Sequence, residues 1–580
     1  MTINSETSKI PGYFVESTAP RNVDEDKGPL TDDLIKISEI PTREGALPNE
    51  VKIERIVSKL LESQEPELII SVHGYNNGID ITKKRYQGIH EWINNPDNIS
   101  HTEGKVFLGY RWPSEDLKKV EWKKAFIALP ILPSWTFFIG LVASVILCFA
   151  MVILQPNWFL IPLLLLFVVL PTIILTFILM RLSVYFRDSY RAINFGVPDL
   201  VELIRQIDQE AFSQAGILEE NWKTELEPEN SQGQNHRKRI KLTFIGHSLG
   251  CLVVTNTIRI ISDVFDQKSI GSLKISNDSN IQKLPDEKVG RVFSLGRLVL
   301  LAADIPVETV IPRRANFLRS SLRRFEEAYI FSNEGDMVLR IASTIANYIS
   351  FPASDRINGY RLGNLTVKHF SNEQDTKGSS PKPGIVNLRQ KVGSPSYQSD
   401  TPTENYFFEN PYQWLEIRSS NREHASLEEI RDIAGKPVAN LITYFDCTDY
   451  VDGEGEPGIL SHAKKIPALL MKDYIPLTLD TFLDKKNVHG GYFDGKFSQR
   501  VIYQLAFLGF NGFLKTFPIT EPTQTQQLDE ASLGIEEKAL LEKKLWKFHQ
   551  TCGEKQIQVV LAPERYSVDI LKQKRDRSGY

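Results

Sequence analysis

Runs of hydrophobic residues recur along the chain at lengths typical of buried strands. Those rich in β-branched and aromatic residues are 66–77, 104–114, 238–246, 295–306, 325–336 and 438–449. Amphipathic stretches with helical periodicity, such as 189–212 and 248–265, lie between them. Continuous apolar strands that alternate with helices predict an α/β fold, in which helices cover both faces of a doubly wound, mostly parallel sheet.

One segment is too apolar for this alternation. Residues 125–180 contain no Asp, Glu, Lys, Arg or His, and the apolar runs 134–154 and 158–180 are joined by "QPN" at 155–157. Each run has the length of about 20 residues that a bilayer-spanning helix needs. We predict a two-helix transmembrane hairpin over 125–181. An interfacial hairpin and a buried helix pair in a soluble core are the alternatives.

Basic residues flank the hairpin on both sides, in "DLKKVEWKK" (116–124) and at Arg181, Arg187 and Arg191. Because positive charge marks the cytoplasmic ends of membrane helices, both flanks are predicted to lie in the cytoplasm. The chain is then an integral membrane protein whose soluble domain lies on the cytoplasmic side. Residues 60–124 and 182–520 would form that domain, with the hairpin as an insertion.

Polar segments complete the chain. Residues 1–59 are expected to be a polar N-terminal segment with no apolar signal sequence, and 521–580 a C-terminal tail with a charged helix. Within the soluble domain, about 266–290 and 371–405 are rich in Ser, Pro, Gly and charge, which predicts disordered insertions. The aromatic-rich stretch 501–517 fits either a core helix or a second membrane contact.

Composition narrows the functional classes. The chain has 580 residues, enough for about two to four domains, and its net charge of −4 creates no field that would attract nucleic acid. Its four cysteines, Cys148, Cys251, Cys447 and Cys552, lie far apart without metal-type or disulfide-dense spacing. We therefore expect a reducing compartment, with no metal site and no nucleic-acid partner.

A G-x-S-x-G motif lies in "LTFIGHSLGCLVV" (242–254), where Gly246 and Gly250 flank Ser248. The motif follows a β-type run and opens an apolar helix, which is the strand–turn–helix setting of a nucleophile elbow. There the flanking glycines let strand and helix approach each other without a side-chain clash. Ser248 is therefore predicted to be a catalytic nucleophile. The alternative is a helix N-cap serine that happens to lie between glycines.

Six segments together resemble the α/β-hydrolase superfamily, and more closely its lipase-like members and a bacterial hydrolase family of unknown function. They are "VHGYNN" (72–77), "YRWPS" (110–114), "GHSLG" (246–250), "LAADIP" (301–306), "SNEGDMVL" (332–339) and "HGGYFDG" (489–495). The likeness covers about residues 60–495 and implies an α/β-hydrolase fold with the transmembrane hairpin inserted. It also implies a nucleophile, an acid and a histidine in that chain order.

The resemblance implies roles for the residues around the nucleophile. Two backbone N–H groups would form the oxyanion hole, one from Leu249 and one from Tyr75 in the "HGYNN" loop. We interpret the histidine of that loop as a structural residue rather than a catalytic one. The supporting motif residues are His73, Gly74, Gly246, His247 and Gly250.

The acid and the base come from later segments. Asp336 in "YIFSNEGDMVL" matches the family position of the acid, and Asp304 in "LAADIP" is the runner-up. His489, in the Gly-rich loop "KNVHGGYFDG", resembles the family's histidine loop, although it comes later after the last strand than is usual. The other downstream histidines that could supply the base are His369, His424 and His462.

These roles imply acyl transfer through an acyl-enzyme, with no metal or organic cofactor. The chain is predicted to be a membrane-anchored serine hydrolase, esterase- or lipase-like, whose partners are the lipid bilayer and an acyl-ester substrate drawn from its lipids. A tethered hydrolase of soluble esters or thioesters is one alternative. A catalytically silent scaffold or regulator at the membrane is the other.

Overall fold

A computed structural model of the chain describes residues 9–19, 35–40, 50–99, 103–114, 131–153, 168–214, 239–265, 288–307, 318–343, 361–367, 383–390, 406–408, 414–418, 424–426, 438–453, 458–460, 476–477, 480, 486–518 and 530–566. The insertion predicted at 266–290 lies almost wholly outside these ranges, as do most of 371–405 and the predicted turn at 155–157. His369 and His462 also lie outside the described residues.

Within these ranges the strands build one large sheet and two small ones. The strands are β1 (Gly12–Ser17), β2 (Ile35–Glu39), β3 (Glu67–Val72), β4 (Lys105–Arg111), β5 (Ile240–His247), β6 (Lys288–Val289), β7 (Phe293–Leu301), β8 (Glu327–Ser332), β9 (Thr366–Val367), β10 (Gly384–Ile385), β11 (Leu388–Gln390), β12 (Tyr406–Phe408), β13 (Leu415–Arg418), β14 (His424–Ser426), β15 (Thr443–Asp446) and β16 (Gln558–Val560). The large sheet has the order β10-β16-β15-β8-β7-β5-β3-β4-β1-β2, with β6 beside β7. Every neighbouring pair from β15 to β1 is parallel, which confirms the predicted α/β fold with a mostly parallel sheet.

Helices cover both faces of the large sheet. The helices are α1 (Ile53–Leu61), α2 (Ile79–Ile93), α3 (Ile131–Ile153), α4 (Leu170–Arg191), α5 (Val197–Gln214), α6 (Leu249–Phe265), α7 (Arg319–Arg324), α8 (Lys496–Thr516), α9 (Glu530–Glu554) and α10 (Pro563–Tyr566). Leu68 and Ile70 of β3 pack with α5 and α6 in one apolar cluster, whereas Ile69 packs with α2 and α8 in a second. Because alternate side chains of a strand point to opposite faces, this two-sided burial explains the continuous apolar run "ELIISV".

The carboxyl ends of the central strands meet at one edge of the sheet. The register pairs Val72 of β3 with Gly246 of β5, His247 with Leu301 of β7, and Leu301 with Phe331 of β8. The segments that leave β3, β5 and β8 therefore start side by side. These are the segments expected to carry the oxyanion loop, the nucleophile and the acid.

Both ends of the chain add strands to the large sheet. β1, within the N-terminal segment 1–59, is parallel to β4, and β2 continues the sheet beyond it. β16, within the C-terminal tail 521–580, pairs antiparallel with β15. These pairings join residues far apart in the sequence. The pattern of polar and apolar residues within each short segment therefore does not predict them.

The aromatic-rich stretch 501–517 is a core helix. It forms most of α8, where Phe507 and Phe513 are fully buried. The ring of Phe513 lies 5.0 Å from that of Phe548 in α9, at an edge-to-face angle of 82° that aromatic pairs favour. The stretch therefore faces the sheet and α9.

Helices α3 and α4 occupy the long apolar segment and pack against each other. A side chain at Gly140 of α3 would overlap Thr172 of α4, so the two backbones lie close together. α3 exposes large apolar side chains, including Trp135, Phe149 and Val152. Among the described residues, no helix combines the length and the apolar character needed to cross a membrane. The transmembrane hairpin over 125–181 stays a prediction.

The core position of α8 can be tested by truncating one ring. We expect Phe513→Ala to lower the free energy of unfolding by about 3–5 kcal/mol, the usual effect of deleting a buried phenylalanine. Thermal unfolding in detergent measures the change. Phe149→Ala, at a side chain that is 67% exposed, is the control and should leave the midpoint nearly unchanged. Equal shifts for the two variants would contradict the core assignment.

Candidate active site

Ser248 occupies a strained turn between β5 and α6. Its φ of +55° lies in the left-handed region, which costs a residue with a side chain about 1–2 kcal/mol. Both backbone groups of Ser248 are hydrogen-bonded. Its N–H donates to the Leu301 carbonyl at 2.9 Å. Its carbonyl accepts from Cys251 N–H at 2.9 Å and from Asp304 N–H at 3.2 Å. Strain that the surroundings enforce is characteristic of functional sites.

The glycines of the motif allow α6 to begin against the end of β3. A Cβ at Gly250 would lie 2.5 Å from the carbonyl oxygen of Val72 and would also overlap that of His73. A Cβ at Gly246 would lie 3.0 Å from Cys251 Cα in the first turn of α6. Both glycines are therefore needed for this strand–turn–helix geometry, as the motif predicts.

Asp336 and His489 form a hydrogen-bonded pair at the same edge of the sheet. Asp336 lies just after β8 and is fully buried, and its Oδ2 accepts a hydrogen bond from His489 Nδ1 at 2.7 Å. Its Oδ1 accepts from Val338 N–H at 3.0 Å and Leu339 N–H at 3.1 Å, so the carboxylate is fixed in place. Because Nδ1 donates to Asp336, the neutral His489 ring presents Nε2 as an acceptor.

Ser248 Oγ and His489 Nε2 are both buried, and within the described residues neither has a hydrogen-bond partner. Buried polar atoms are nearly always paired, so two such atoms invite a functional explanation. They are the two atoms between which a serine hydrolase transfers its first proton. Catalytic hydrogen bonds often close only when substrate is bound.

The runner-up acid has another partner. Asp304 Oδ1 lies 3.0 Å from Arg361 Nε in a buried ion pair, and its backbone N–H supports the Ser248 carbonyl. The structure thus brings Asp336, rather than Asp304, against His489. His424 lies in β14 of a small sheet, where it pairs with Arg418 of β13.

The loop 73–77, called the oxyanion loop below for its predicted role, follows β3 and passes close to Ser248. A Cβ at Gly74 would lie 2.8 Å from Ser248 Cβ. The ring centroid of Tyr75 is 6.3 Å from that of His489. Leu249 begins α6, and the first N–H groups of a helix have no acceptor within it. Tyr75 directly follows Gly74, and Leu249 directly follows Ser248. Both residues that are predicted to donate to the oxyanion therefore lie beside Ser248.

His73 supports this loop as a structural residue. Its Nδ1 donates to the Gly74 carbonyl at 2.7 Å, and its ring stacks on Trp112 at 5.1 Å with an interplanar angle of 3°. Burial, reinforced by the positive charge of Arg111, lowers the pKa of His73 to about 3. The ring is therefore neutral at physiological pH.

His247 and Asn333 have positioning contacts that the sequence did not reveal. His247 Nε2 donates to the backbone carbonyl of His489 at 3.1 Å, and burial lowers the pKa of His247 well below its usual range. Asn333 Nδ2 donates to the Val488 carbonyl at 2.8 Å, which ties the acid loop to the histidine loop. The one local signal for Asn333 is the turn-forming "SNEG" around it, where its Oδ1 accepts from Gly335 N–H.

The described residues contain no group of three or more His, Cys, Asp or Glu side chains that could hold a metal ion.

The neutral His73 predicts a specific pH dependence. The pKa of His73 is about 3 in the folded chain and about 6.5 in the unfolded chain. Protonation of His73 therefore does not lower the free energy of unfolding above pH 6.5, but lowers it progressively as the pH drops towards 3. At about 1.4 kcal/mol per pH unit, the loss at pH 4 is about 3 kcal/mol. His73→Phe keeps the stacking, and its thermal midpoint should fall less than that of the wild type between pH 7.5 and 4. Parallel curves for the two proteins would contradict this role.

Comparison of the chain with protein families, with curated proteins and with solved structures finds no match.

Proposed function

We propose that the chain is a serine hydrolase of the α/β-hydrolase type that cleaves acyl esters through Ser248, Asp336 and His489. The observation that carries the proposal is the buried Asp336–His489 pair at 2.7 Å, located at the same sheet edge as a serine with a φ of +55°. A helix N-cap serine requires neither the strained turn nor a carboxylate-bound histidine beside it.

In the first half of the reaction, Ser248 Oγ attacks the carbonyl carbon of the ester while His489 Nε2 takes the hydroxyl proton. Asp336 holds the ring in the required tautomer and stabilises its charged form. Collapse of the tetrahedral intermediate breaks the bond to the alcohol oxygen, which receives the proton from His489. The products of this half are the free alcohol and the Ser248 acyl ester.

In the second half, His489 takes a proton from water, and the resulting hydroxide attacks the acyl carbon. The carboxylic acid leaves as Ser248 Oγ recovers the proton from the ring. In both halves the negative charge on the carbonyl oxygen would be held by the N–H groups of Leu249 and Tyr75. Such preorganised donors usually contribute the largest share of the rate enhancement.

We further propose that the helix pair α3–α4 contacts a lipid bilayer, as the hairpin predicted over 125–181, and that the substrate is a lipid ester. Three features support this: the charge-free sequence of 125–180, the exposed apolar side chains of α3, and the basic flanks, which favour the cytoplasmic side for both ends. α4 also reaches the site, since the rings of Tyr185 and Tyr75 are 6.1 Å apart.

Fluorophosphonate labelling tests the nucleophile directly. We expect wild-type protein to be labelled and Ser248→Ala to be unlabelled, with ester turnover reduced about 10³-fold or more, as for other triad deletions. Ser58→Ala, at an exposed serine of α1, is the matched control and should be labelled normally. If the folded wild type is not labelled, the catalytically silent scaffold becomes the better interpretation.

Liposome flotation tests the bilayer contact. We expect the double variant Phe149→Asp, Val152→Asp to bind less, because each acidic side chain costs about 2.5–3.5 kcal/mol inside a membrane. Ile81→Asp, at an apolar residue of α2 that is 38% exposed, is the control and should float as the wild type does. Hydrolysis of a water-soluble ester should survive in both. Unchanged flotation of the double variant would favour a soluble hydrolase over a membrane-bound one.

A further inference from the structure

The last turn of α4 contacts the oxyanion loop through a fully buried carboxylate. Asp188 Oδ2 accepts hydrogen bonds from the backbone N–H of Asn76 and from the hydroxyl of Ser114, both at 3.0 Å. The Ser114 hydroxyl oxygen in turn accepts from Asn77 N–H at 3.1 Å. One carboxylate oxygen and one hydroxyl thus hold two successive amides of the loop.

This part of the loop is an irregular turn that these hydrogen bonds help to hold. Asn76 has a φ of +56°, in the left-handed region that Asn adopts more readily than other residues with a side chain. Asn76 is also the residue directly after Tyr75, whose N–H is assigned to the oxyanion. A shift of the Asn76 peptide would therefore be transmitted to the Tyr75 peptide.

The second oxygen of Asp188 keeps the carboxylate in place. Asp188 Oδ1 accepts from Arg187 Nε at 3.0 Å, and Arg187 Nη2 lies 2.9 Å away in an ion pair. The guanidinium compensates the buried negative charge, so that Oδ2 remains available as a strong acceptor for the loop.

α4 carries these contacts directly from the apolar hairpin to the site. The helix runs without a break from Leu170 to Arg191, so its first turns pack on α3 and its last turns reach the oxyanion loop. Tyr185 and Asp188, three residues apart, lie on the same face of the helix. One continuous helix therefore connects the hairpin to the oxyanion loop.

We propose that Asp188 is a positioning residue for ester hydrolysis, through which the hairpin helix α4 holds the oxyanion loop in its reactive geometry. This inference rests on the proposed function. Asp188 touches neither the nucleophile nor the histidine, so its effect is exerted through the Tyr75 amide. Charge on the oxyanion is fully developed only in the transition state, so kcat should respond while KM changes little.

The test compares Asp188→Asn with Asp199→Asn in the full-length chain. Asp199 of α5 is also a buried carboxylate, but it accepts a hydrogen bond from Ser17 in β1, away from the oxyanion loop. Turnover of 4-nitrophenyl butyrate, normalised to sites titrated with a fluorophosphonate, gives kcat and KM per active protein. An acyl trifluoromethyl ketone, which adds to the serine as a tetrahedral oxyanion, reports on the oxyanion hole itself.

For Asp188→Asn we expect kcat to fall about 100-fold, the size of loss that a displacement of about 1 Å can cause in an active site, with KM within a factor of about 2. Affinity for the trifluoromethyl ketone should fall in parallel. Asp199→Asn should keep the wild-type kcat and ketone affinity per titrated site. Equal kcat values and ketone affinities for the two variants would overturn the proposal.

Ser114→Ala provides a second variant in case Asp188→Asn does not fold. It removes the hydroxyl that links Asp188 to Asn77 N–H but leaves the carboxylate and its bond to Asn76. We expect a smaller loss of kcat, about 10-fold, again with little change in KM. Wild-type kcat in Ser114→Ala would count against the proposal. A wild type without Ser248-dependent turnover would instead overturn the proposed function itself.

Discussion

The close approach of α6 to the ends of β3 and β5 is the constraint on which the site depends. Only glycine at 250 lets the helix start against the backbone of Val72, and this proximity places Ser248 in its strained turn. The strain persists because Leu301 of β7 and the backbone N–H of Asp304 hold the turn from the neighbouring strand. A local motif is therefore stabilised by three parallel strands, none of which is adjacent to the others in sequence.

Asp336 and His489, the proposed acid and base, are held by several hydrogen bonds, as is Ser248. Backbone amides of the turn after β8 fix one oxygen of Asp336, which leaves the other for His489. The histidine loop is bound at two successive carbonyls, that of Val488 by Asn333 and that of His489 by His247. Because the groups that form these hydrogen bonds are buried or partly buried, losing one would leave a polar atom shielded from water without its partner and displace the loop.

The helix pair α3–α4 contacts the candidate active site directly. The last turns of its second helix, α4, carry Tyr185 and Asp188, which contact the oxyanion loop. A bilayer that orients the exposed apolar surface of α3 would therefore also orient the element that positions Tyr75. The proposed contact with lipid substrates and the proposed support of the oxyanion loop would then both belong to the helix pair α3–α4.

The sequence by itself determined the α/β class, the central strands and the turn at Ser248, because continuous burial and glycine spacing leave local patterns. It ranked Asp336 before Asp304 only through the resemblance, since both follow strands, and the contact that separates them is with a histidine 153 residues from Asp336. The pairings of β1 and β16 in the large sheet, and the contacts of Asp188, were likewise decided by tertiary structure alone. Each depends on a pairing between distant segments, which no local periodicity encodes.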